Sequence, residues 1–131
     1  MKTIFQQIID HEIPAYRVWE NDRYLAFLDI FPIHAGQVLL IPKTPIDYLF
    51  AMESDSFSEL MSTARRVAIA LQSALKATRI GMIVEGLEVP HVHIKLIPID
   101  ATHGLNATPR RSSEEELKSL QSTLSAAMRD L

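Results

Sequence analysis

Two histidines and a lysine alternate with apolar residues in the second half of this chain. The sequence VPHVHIKLIP occupies residues 89–98 and places His91, His93 and Lys95 at every second position. Side chains two apart on a β-strand share a face, so we predict that these three project together while the intervening residues enter a core. Each basic group on such a face must stay solvated or find a partner, which favours a ligand-binding cleft. This face is the predicted functional site.

The spacing of the two histidines by itself is compatible with three kinds of site. Two imidazoles on one strand face suit one-sided coordination of zinc or iron. No third ligand lies nearby in sequence, however, and the Lys95 ammonium would repel a cation. The histidines would be purely structural if both were hydrogen-bonded inside a hairpin. The third alternative is a reactive role in a ligand cleft, because imidazole changes its protonation state near neutral pH.

The size and composition of the chain limit the classes of function. The chain has 131 residues, of which 47% are hydrophobic, so we predict that residues 1–131 form a single domain with a sizeable core. The formal charge of −3 provides no broad basic surface, so we predict no binding to long nucleic acids. The absence of cysteine excludes disulfides and thiolate chemistry. No segment has the pattern of a signal peptide or a membrane span, and we expect a cytoplasmic protein without membrane contact.

Helical periodicity predicts three helices. Apolar residues at positions 4, 5, 8 and 9 indicate a short N-terminal helix, and an apolar stripe between positions 57 and 75 indicates a long central helix. Ser56 and Glu59 have the spacing of a capping box at the start of the central helix. A C-terminal helical extension over residues 112–131 would be capped by Ser112 or Ser113.

Five strands are predicted around these helices. Apolar runs at residues 16–19 and 24–30 flank a polar turn and indicate a hairpin, and the run at 38–41 indicates a strand buried on both faces. Residues 80–84 and the histidine segment are joined by a turn at Gly86 and indicate a second hairpin. The predicted fold class is therefore α+β, with an antiparallel sheet of about five strands and helices packed on it.

Several segments in order resemble the histidine triad (HIT) family. Residues 91–97 resemble its signature, in which three histidines alternate with apolar residues, except that Lys95 takes the third histidine position. Residues 26–30 (AFLDI) and 36–43 (GQVLLIPK) resemble the family's first motif block, and residues 4–14 resemble its entry helix. The resemblance covers roughly residues 3–99 and is far more specific than a single H-x-H. On these grounds the chain is identified as a HIT-like domain.

The resemblance implies a nucleotide site and a covalent mechanism. HIT proteins hydrolyse or transfer nucleotides from phosphoramidates and dinucleoside polyphosphates, and a neutral histidine becomes a transient nucleotidyl-imidazole. That nucleophile corresponds to His93, whose second ring nitrogen would be held by the backbone carbonyl of His91. Asp29 corresponds to the carboxylate that accepts hydrogen bonds from the ribose hydroxyls. The residues that correspond to an apolar slot for the base are Phe5, Ile8, Phe27 and Ile30.

Two positions depart from the family pattern. Gln37 stands where an upstream histidine is usual, and Lys95 stands where the third triad histidine contacts phosphate. An ammonium would stabilise charge on a phosphoryl group but is poorly suited to protonate a leaving group near neutral pH. Glu88, in the short turn before His91, lies at the nucleotide site but offers no hydroxyl to phosphate. We favour an active nucleotidyl hydrolase or transferase, and the alternative is a nucleotide-binding protein without turnover.

The resemblance also implies the partners of this chain. The expected ligand is a small-molecule nucleotide, with no cofactor. HIT proteins commonly form dimers by joining their sheets and central helices, so we expect a homodimer.

The remaining histidines carry weaker predictions. His34 lies three residues before Gln37 and is the candidate to replace the missing imidazole, although an exposed loop position is favoured. His11 and His103 are predicted to be surface or loop residues. For Lys43, which belongs to the block that resembles the HIT family, the alternative is a solvated charge beside two prolines.

Overall fold

The computed structural model describes all 131 residues and builds them around one five-stranded sheet. The elements in chain order are α1 (Ile4–Ile9), β1 (Arg17–Glu20), β2 (Tyr24–Leu28), β3 (Val38–Pro42), a short 3-10 turn (Leu49–Ala51), α2 (Ser54–Leu75), β4 (Arg79–Ile83), β5 (Ile94–Ile99) and α3 (Glu114–Ala127). The strand order is β1-β2-β3-β5-β4, and every neighbouring pair is antiparallel. The predicted α+β class, sheet and helices are confirmed. None of the helices has the length and apolar character needed to cross a bilayer.

The helices α2 and α3 cover one face of the sheet, which we call the α2/α3 face. Alternate residues of β2, β3 and β5 point into this core, as the period of two requires. The fully buried residues of this core, from the strands and from the two helices with the residue after α3, are Ala26, Val38, Leu40, Ile94, Leu60, Ala64, Val67, Leu71, Leu124 and Met128. This core is the larger of two, and it includes Val92 of the histidine segment and Ile94 at the start of β5.

The helix α1 covers part of the opposite face, which we call the α1 face. Phe5 and Ile8 pack there on apolar side chains of β2 and β3. Thr3 begins this helix because its hydroxyl accepts a hydrogen bond from the Gln6 amide at 3.1 Å. Because α1 has only six residues, it does not cover the whole α1 face of the sheet. The two histidines of the predicted site lie in the part that α1 does not cover.

The histidines lie just before β5 rather than inside it. The strand begins at Ile94, and the Val92 amide donates to the Ile46 carbonyl at 2.7 Å, in the loop after β3. This bond to a loop replaces the strand ladder that the apolar pattern predicted. The alternation of faces persists, because Val92 is buried in the α2/α3 core. The rings of His91 and His93 lie on the α1 face.

The predicted capping box at the start of α2 is wrong. The N-cap is Glu53, which makes no capping bond, and Ser56 lies inside the first turn. Glu59 instead accepts hydrogen bonds from the Tyr24 hydroxyl at 2.7 Å and from the Arg23 guanidinium at 2.7 and 2.9 Å. Glu59, which the local pattern assigned to the cap, is therefore engaged in a tertiary contact with Tyr24 of β2 and with Arg23.

Candidate active site

His93 has one ring nitrogen engaged and the other free. Its Nδ1–H donates to the backbone carbonyl of His91 at 2.8 Å, so the neutral ring is unprotonated at Nε2. The Nε2 atom has no hydrogen-bond partner in the chain. His93 lines a small cavity of about 30 Å³, which we call the histidine cavity. The ring is supported from α1 by Phe5, at a centroid distance of 4.9 Å. This arrangement presents a lone pair from a fixed imidazole, as a nucleophile requires.

His91 anchors the segment that orients His93. Its Nε2–H donates to the Pro42 carbonyl at 2.8 Å, and only 1% of the residue is exposed. Burial lowers the pKa of His91 and the neighbouring His93 lowers it further, although the bond to Pro42 opposes the shift. The buried ring is therefore neutral. It ties the segment to the end of β3 and so fixes the carbonyl that holds Nδ1 of His93.

The lowered pKa of His91 predicts a loss of stability in acid. The unfolded chain binds a proton near the ordinary pKa of 6.5, before the folded chain does. The contribution of His91 to stability is therefore present above that value and is lost as the pH falls toward the lower folded pKa. Urea unfolding at pH 8, 7, 6 and 5 measures this change. His91→Asn should flatten the pH dependence while His11→Asn should not, and equal slopes in all three proteins would contradict the prediction.

The histidine cavity also contains two further residues that were predicted for the nucleotide site. Lys95 and Glu88 line it together with His93, and Lys95 lies opposite Leu39 in the sheet register, on the α1 face. The Lys95 ammonium is 3.8 Å from the Glu85 carboxylate, which is 58% exposed. Such a long and exposed ion pair contributes little, so the ammonium keeps donors for a ligand. Glu88 adds a negative charge at the rim of this cavity rather than at the base slot.

Gln37, at the position where a histidine was expected, forms hydrogen bonds that hold Asp29 in place. Gln37 is only 1% exposed, and its Nε2 donates to Asp29 Oδ2 at 2.8 Å while its Oε1 accepts from the Ile33 amide at 2.8 Å. Asp29 is the first residue after β2, and its Oδ1 accepts from the Phe31 amide at 2.8 Å. Each carboxylate oxygen retains a lone pair for a further donor, which suits two vicinal hydroxyls.

These hydrogen bonds of Gln37 predict a stability effect. Gln37→Leu keeps a similar volume but leaves the Ile33 amide and one Asp29 oxygen without their partner. We expect a loss of about 1–3 kcal/mol in the free energy of unfolding, measured by urea denaturation. Gln72→Leu removes an exposed hydrogen bond to Thr78 and should cost no more than about 0.5 kcal/mol. Equal losses in the two variants would contradict this role of Gln37.

A larger cavity of about 640 Å³ lies beside Asp29, and we call it the apolar cavity. The structure brings the four residues predicted for the base slot, Phe5, Ile8, Phe27 and Ile30, to this cavity. Phe5 packs edge to face on Phe27 at 5.8 Å and on His93 at 4.9 Å, so one side chain of the apolar cavity also contacts the His93 ring. A largely apolar cavity whose lining includes one carboxylate is suited to a nucleoside.

The C-terminal segment contributes side chains to the apolar cavity that the sequence did not predict. Arg111, Lys118 and Gln121 line it, although the sequence indicated only a polar connector and an amphipathic helix. The Ser112 amide donates to the Ile30 carbonyl at 2.9 Å and joins this segment to the loop after β2. The Gln121 side-chain amide also donates to the Arg17 carbonyl at 3.0 Å, so long-range contacts and no local motif place this segment beside the cavity.

His34 does not replace the missing imidazole. Its Nε2 lies 2.6 Å from the Gly104 carbonyl, and its ring packs edge to face on His103. Both rings are therefore engaged with each other and with the loop after β5. The alternative of a solvated Lys43 does not hold, because its Nζ lies 2.6 Å from the Glu20 carboxylate and the lysine side chain is only 24% exposed.

The structure places no group of three or more His, Cys, Asp or Glu side chains where they could hold a metal ion. His91 Nε2 and His93 Nδ1 are both committed to backbone carbonyls. A metal bound by this histidine pair would therefore take its remaining ligands from outside the chain.

The sequence comparisons identify the family. The HIT domain family matches residues 10–102, so the chain belongs to the HIT family and the resemblance is confirmed. An uncharacterised HIT-like protein of Saccharolobus solfataricus is 34% identical over 100 residues, which cover 72% of each chain. The adenosine 5′-monophosphoramidase of Saccharomyces cerevisiae is 36% identical over 100 residues, which cover 72% of this chain and 61% of the yeast protein.

Solved structures share the whole architecture. A HIT-like protein from Bartonella henselae, described as involved in cell-cycle regulation, superposes with a TM-score of 0.85 at 28% identity and 96% coverage of both chains. A zinc-bound histidine triad family protein from Mycobacterium smegmatis superposes with a TM-score of 0.83 at 26% identity, covering 99% of this chain and 95% of that one. The likeness includes the C-terminal segment beyond the residues that the family domain matches.

Proposed function

We propose that this protein is a nucleotidyl hydrolase or transferase that acts through a covalent nucleotidyl-His93. The observation that carries the proposal is the state of His93, whose Nδ1 is bound to the His91 carbonyl while Nε2 is free beside Lys95. Nucleoside phosphoramidates are the first substrate class to test, since the yeast relative is named an adenosine 5′-monophosphoramidase. Dinucleoside polyphosphates are the second class.

The proposed reaction has two displacements at one phosphorus atom. The Nε2 lone pair of His93 attacks the α-phosphorus, the P–N bond of the phosphoramidate breaks, and the amine leaves with the electron pair and a proton from solvent. Water then attacks the same phosphorus, the bond to Nε2 breaks, and the nucleoside monophosphate is released. Lys95 stabilises charge on the non-bridging oxygens in both steps. Asp29 and the apolar cavity hold the nucleoside in line with the ring.

A nucleotide-binding protein without turnover is the second candidate function. It is favoured by the commitment of Gln37 to Asp29 and Ile33, and by the ammonium of Lys95 at the third triad position. Neither group supplies a proton readily to a leaving amine near neutral pH. The apolar cavity and Asp29 would bind the nucleotide equally well in this alternative.

Turnover and binding measurements separate the two candidates. The protein is incubated with adenosine and guanosine 5′-phosphoramidates, and release of the monophosphate is followed by chromatography. Catalytic release supports the hydrolase or transferase. Calorimetric binding of the monophosphates without any release supports the second candidate, and the absence of both binding and release would contradict both.

We also propose a homodimer that forms through β4 and α2. β4 is an edge strand of the sheet, and Met82 on it is 42% exposed, while Ile69 on α2 is 50% exposed. An open edge beside apolar side chains is suited to pairing with a second copy of the chain.

The dimer surface can be tested by sedimentation velocity. We expect a dimer for the wild-type chain and a monomer for the double variant Ile69→Lys, Met82→Lys. Phe50→Lys changes a more exposed side chain, at 73%, outside the proposed surface and should remain dimeric. A monomeric wild-type protein would contradict the proposal.

A further inference from the structure

The apolar cavity has an uneven distribution of polar groups. Most of its lining is hydrophobic and comes from α1, the loop that follows α1, and β2, and Asp29 is its acidic residue. The C-terminal segment adds Arg111, Lys118 and Gln121 to the same cavity. An apolar pocket of this size commonly uses a few placed polar groups to select its ligand. These three residues are therefore candidates to select the base.

Backbone hydrogen bonds hold Arg111 at this place. The Arg110 amide donates to the Pro32 carbonyl at 3.1 Å, and the Ser112 amide donates to the Ile30 carbonyl at 2.9 Å. Arg111 lies between these two anchors, alongside the loop that follows Asp29. Its position is thus fixed by the β2 end of the site and does not depend on α3 alone.

The guanidinium of Arg111 is partly oriented but keeps free donors. One amino group donates to the Ser112 carbonyl at 2.7 Å, and Cζ lies 5.8 Å from the centre of the Phe31 ring. A guanidinium has five N–H donors, so most remain available. Arg111 has no carboxylate within ion-pair distance, whereas Lys118 is paired with Glu114 at 2.8 Å. The Lys118–Glu114 pair is exposed and holds Lys118 only weakly, but Arg111 is the cation of this cavity whose planar fork can make two parallel hydrogen bonds to a base edge.

The hydrogen-bonding edge of each purine shows which base complements the Arg111 guanidinium. A 6-oxopurine presents O6 and N7 as adjacent acceptors, which match the fork of an arginine, whereas adenine presents N7 beside an amine donor. A guanidinium only donates, so it would oppose the adenine amine. We infer that Arg111 is a specificity-determining residue that makes the apolar cavity prefer guanine or hypoxanthine nucleotides to adenine nucleotides. This inference rests on the proposed nucleotide site.

Calorimetric titration with GMP, IMP and AMP tests this inference. We expect wild-type protein to bind GMP and IMP about tenfold more tightly than AMP, as one bidentate contact provides. Arg111→Ala should remove this preference by weakening GMP and IMP binding with little change for AMP. Arg110→Ala removes the same charge from the adjacent residue, which does not line the cavity, and should keep the preference. Arg111→Lys keeps the charge without the fork and should also lose the preference.

The outcomes separate this inference from the proposed function. Equal binding of the three nucleotides to wild-type protein, or a parallel loss for all three in both alanine variants, would overturn the role of Arg111 and leave nucleotide binding intact. No binding of any nucleotide at millimolar concentration would overturn the nucleotide site and the inference together. IMP behaving like AMP rather than GMP would also overturn it, because IMP shares the 6-oxo group.

Discussion

His93→Ala is expected to reduce phosphoramidate turnover at least about a thousandfold, because removal of a nucleophile leaves only positioning and electrostatic stabilisation. No side chain nearby replaces its Nε2, since the second buried imidazole, His91, is committed to the Pro42 carbonyl at Nε2 and is needed to hold the segment. Single-turnover rates and intact mass measure the effect. The variant should bind nucleotide with an affinity close to that of wild type, because Asp29 and the apolar cavity are unchanged.

The control for this loss is a histidine outside the site. His103→Ala removes an exposed imidazole that contacts Asp100 and His34, and it should retain wild-type turnover. Turnover of His93→Ala within tenfold of wild type would contradict covalent catalysis by this residue.

Lys95→Ala is expected to lower kcat by about a hundredfold to a thousandfold with a smaller change in KM, since the ammonium acts mainly on charge that develops in the transition state. Initial rates over a range of phosphoramidate concentrations separate the two parameters. Arg129→Ala removes one exposed positive charge from the C-terminus and serves as the matched control. A change confined to KM would mean that Lys95 only binds the ground state.

Lys95→His extends this test to the leaving group. If protonation of the amine limits the rate, a histidine at position 95 should raise turnover above wild type. Adding Gln37→His should bring no further gain, because Gln37 holds Asp29 and Ile33 in this chain and its loss disturbs the carboxylate that we propose to bind the ribose. A gain only in the double variant would show that these hydrogen bonds of Gln37 matter less than the missing imidazole.

The sequence predicted those parts of the fold and site that depend on local pattern. The alternation from His91 to Lys95 assigned the polar side chains to one face, and the structure keeps that alternation even where the strand has not yet begun. The resemblance brought Asp29 and the four apolar slot residues into one group, and they line one cavity. The first feature follows from spacing along the chain, and the second was implied by the resemblance to the HIT family.

Features that depend on tertiary partners could not be predicted in this way. Glu59 had the spacing of a capping residue but bonds Tyr24 on a distant strand. Gln37 occupied a histidine position, and only the fold shows that it clamps Asp29. The sequence assigned Arg111 to a polar connector, and only the structure shows that its neighbours bond the loop after β2. In each case the deciding contact joins residues far apart in sequence, where no periodicity applies.

The location of the covalent adduct tests the central claim most directly. Wild-type protein is mixed with a phosphoramidate, quenched within one turnover at alkaline pH to preserve a phosphorus–nitrogen bond, digested, and sequenced by tandem mass spectrometry. We expect the nucleotidyl mass on His93, with attachment at Nε2. Turnover accompanied by an adduct on His91, on Lys95 or on another residue, or turnover without any adduct, would contradict the account.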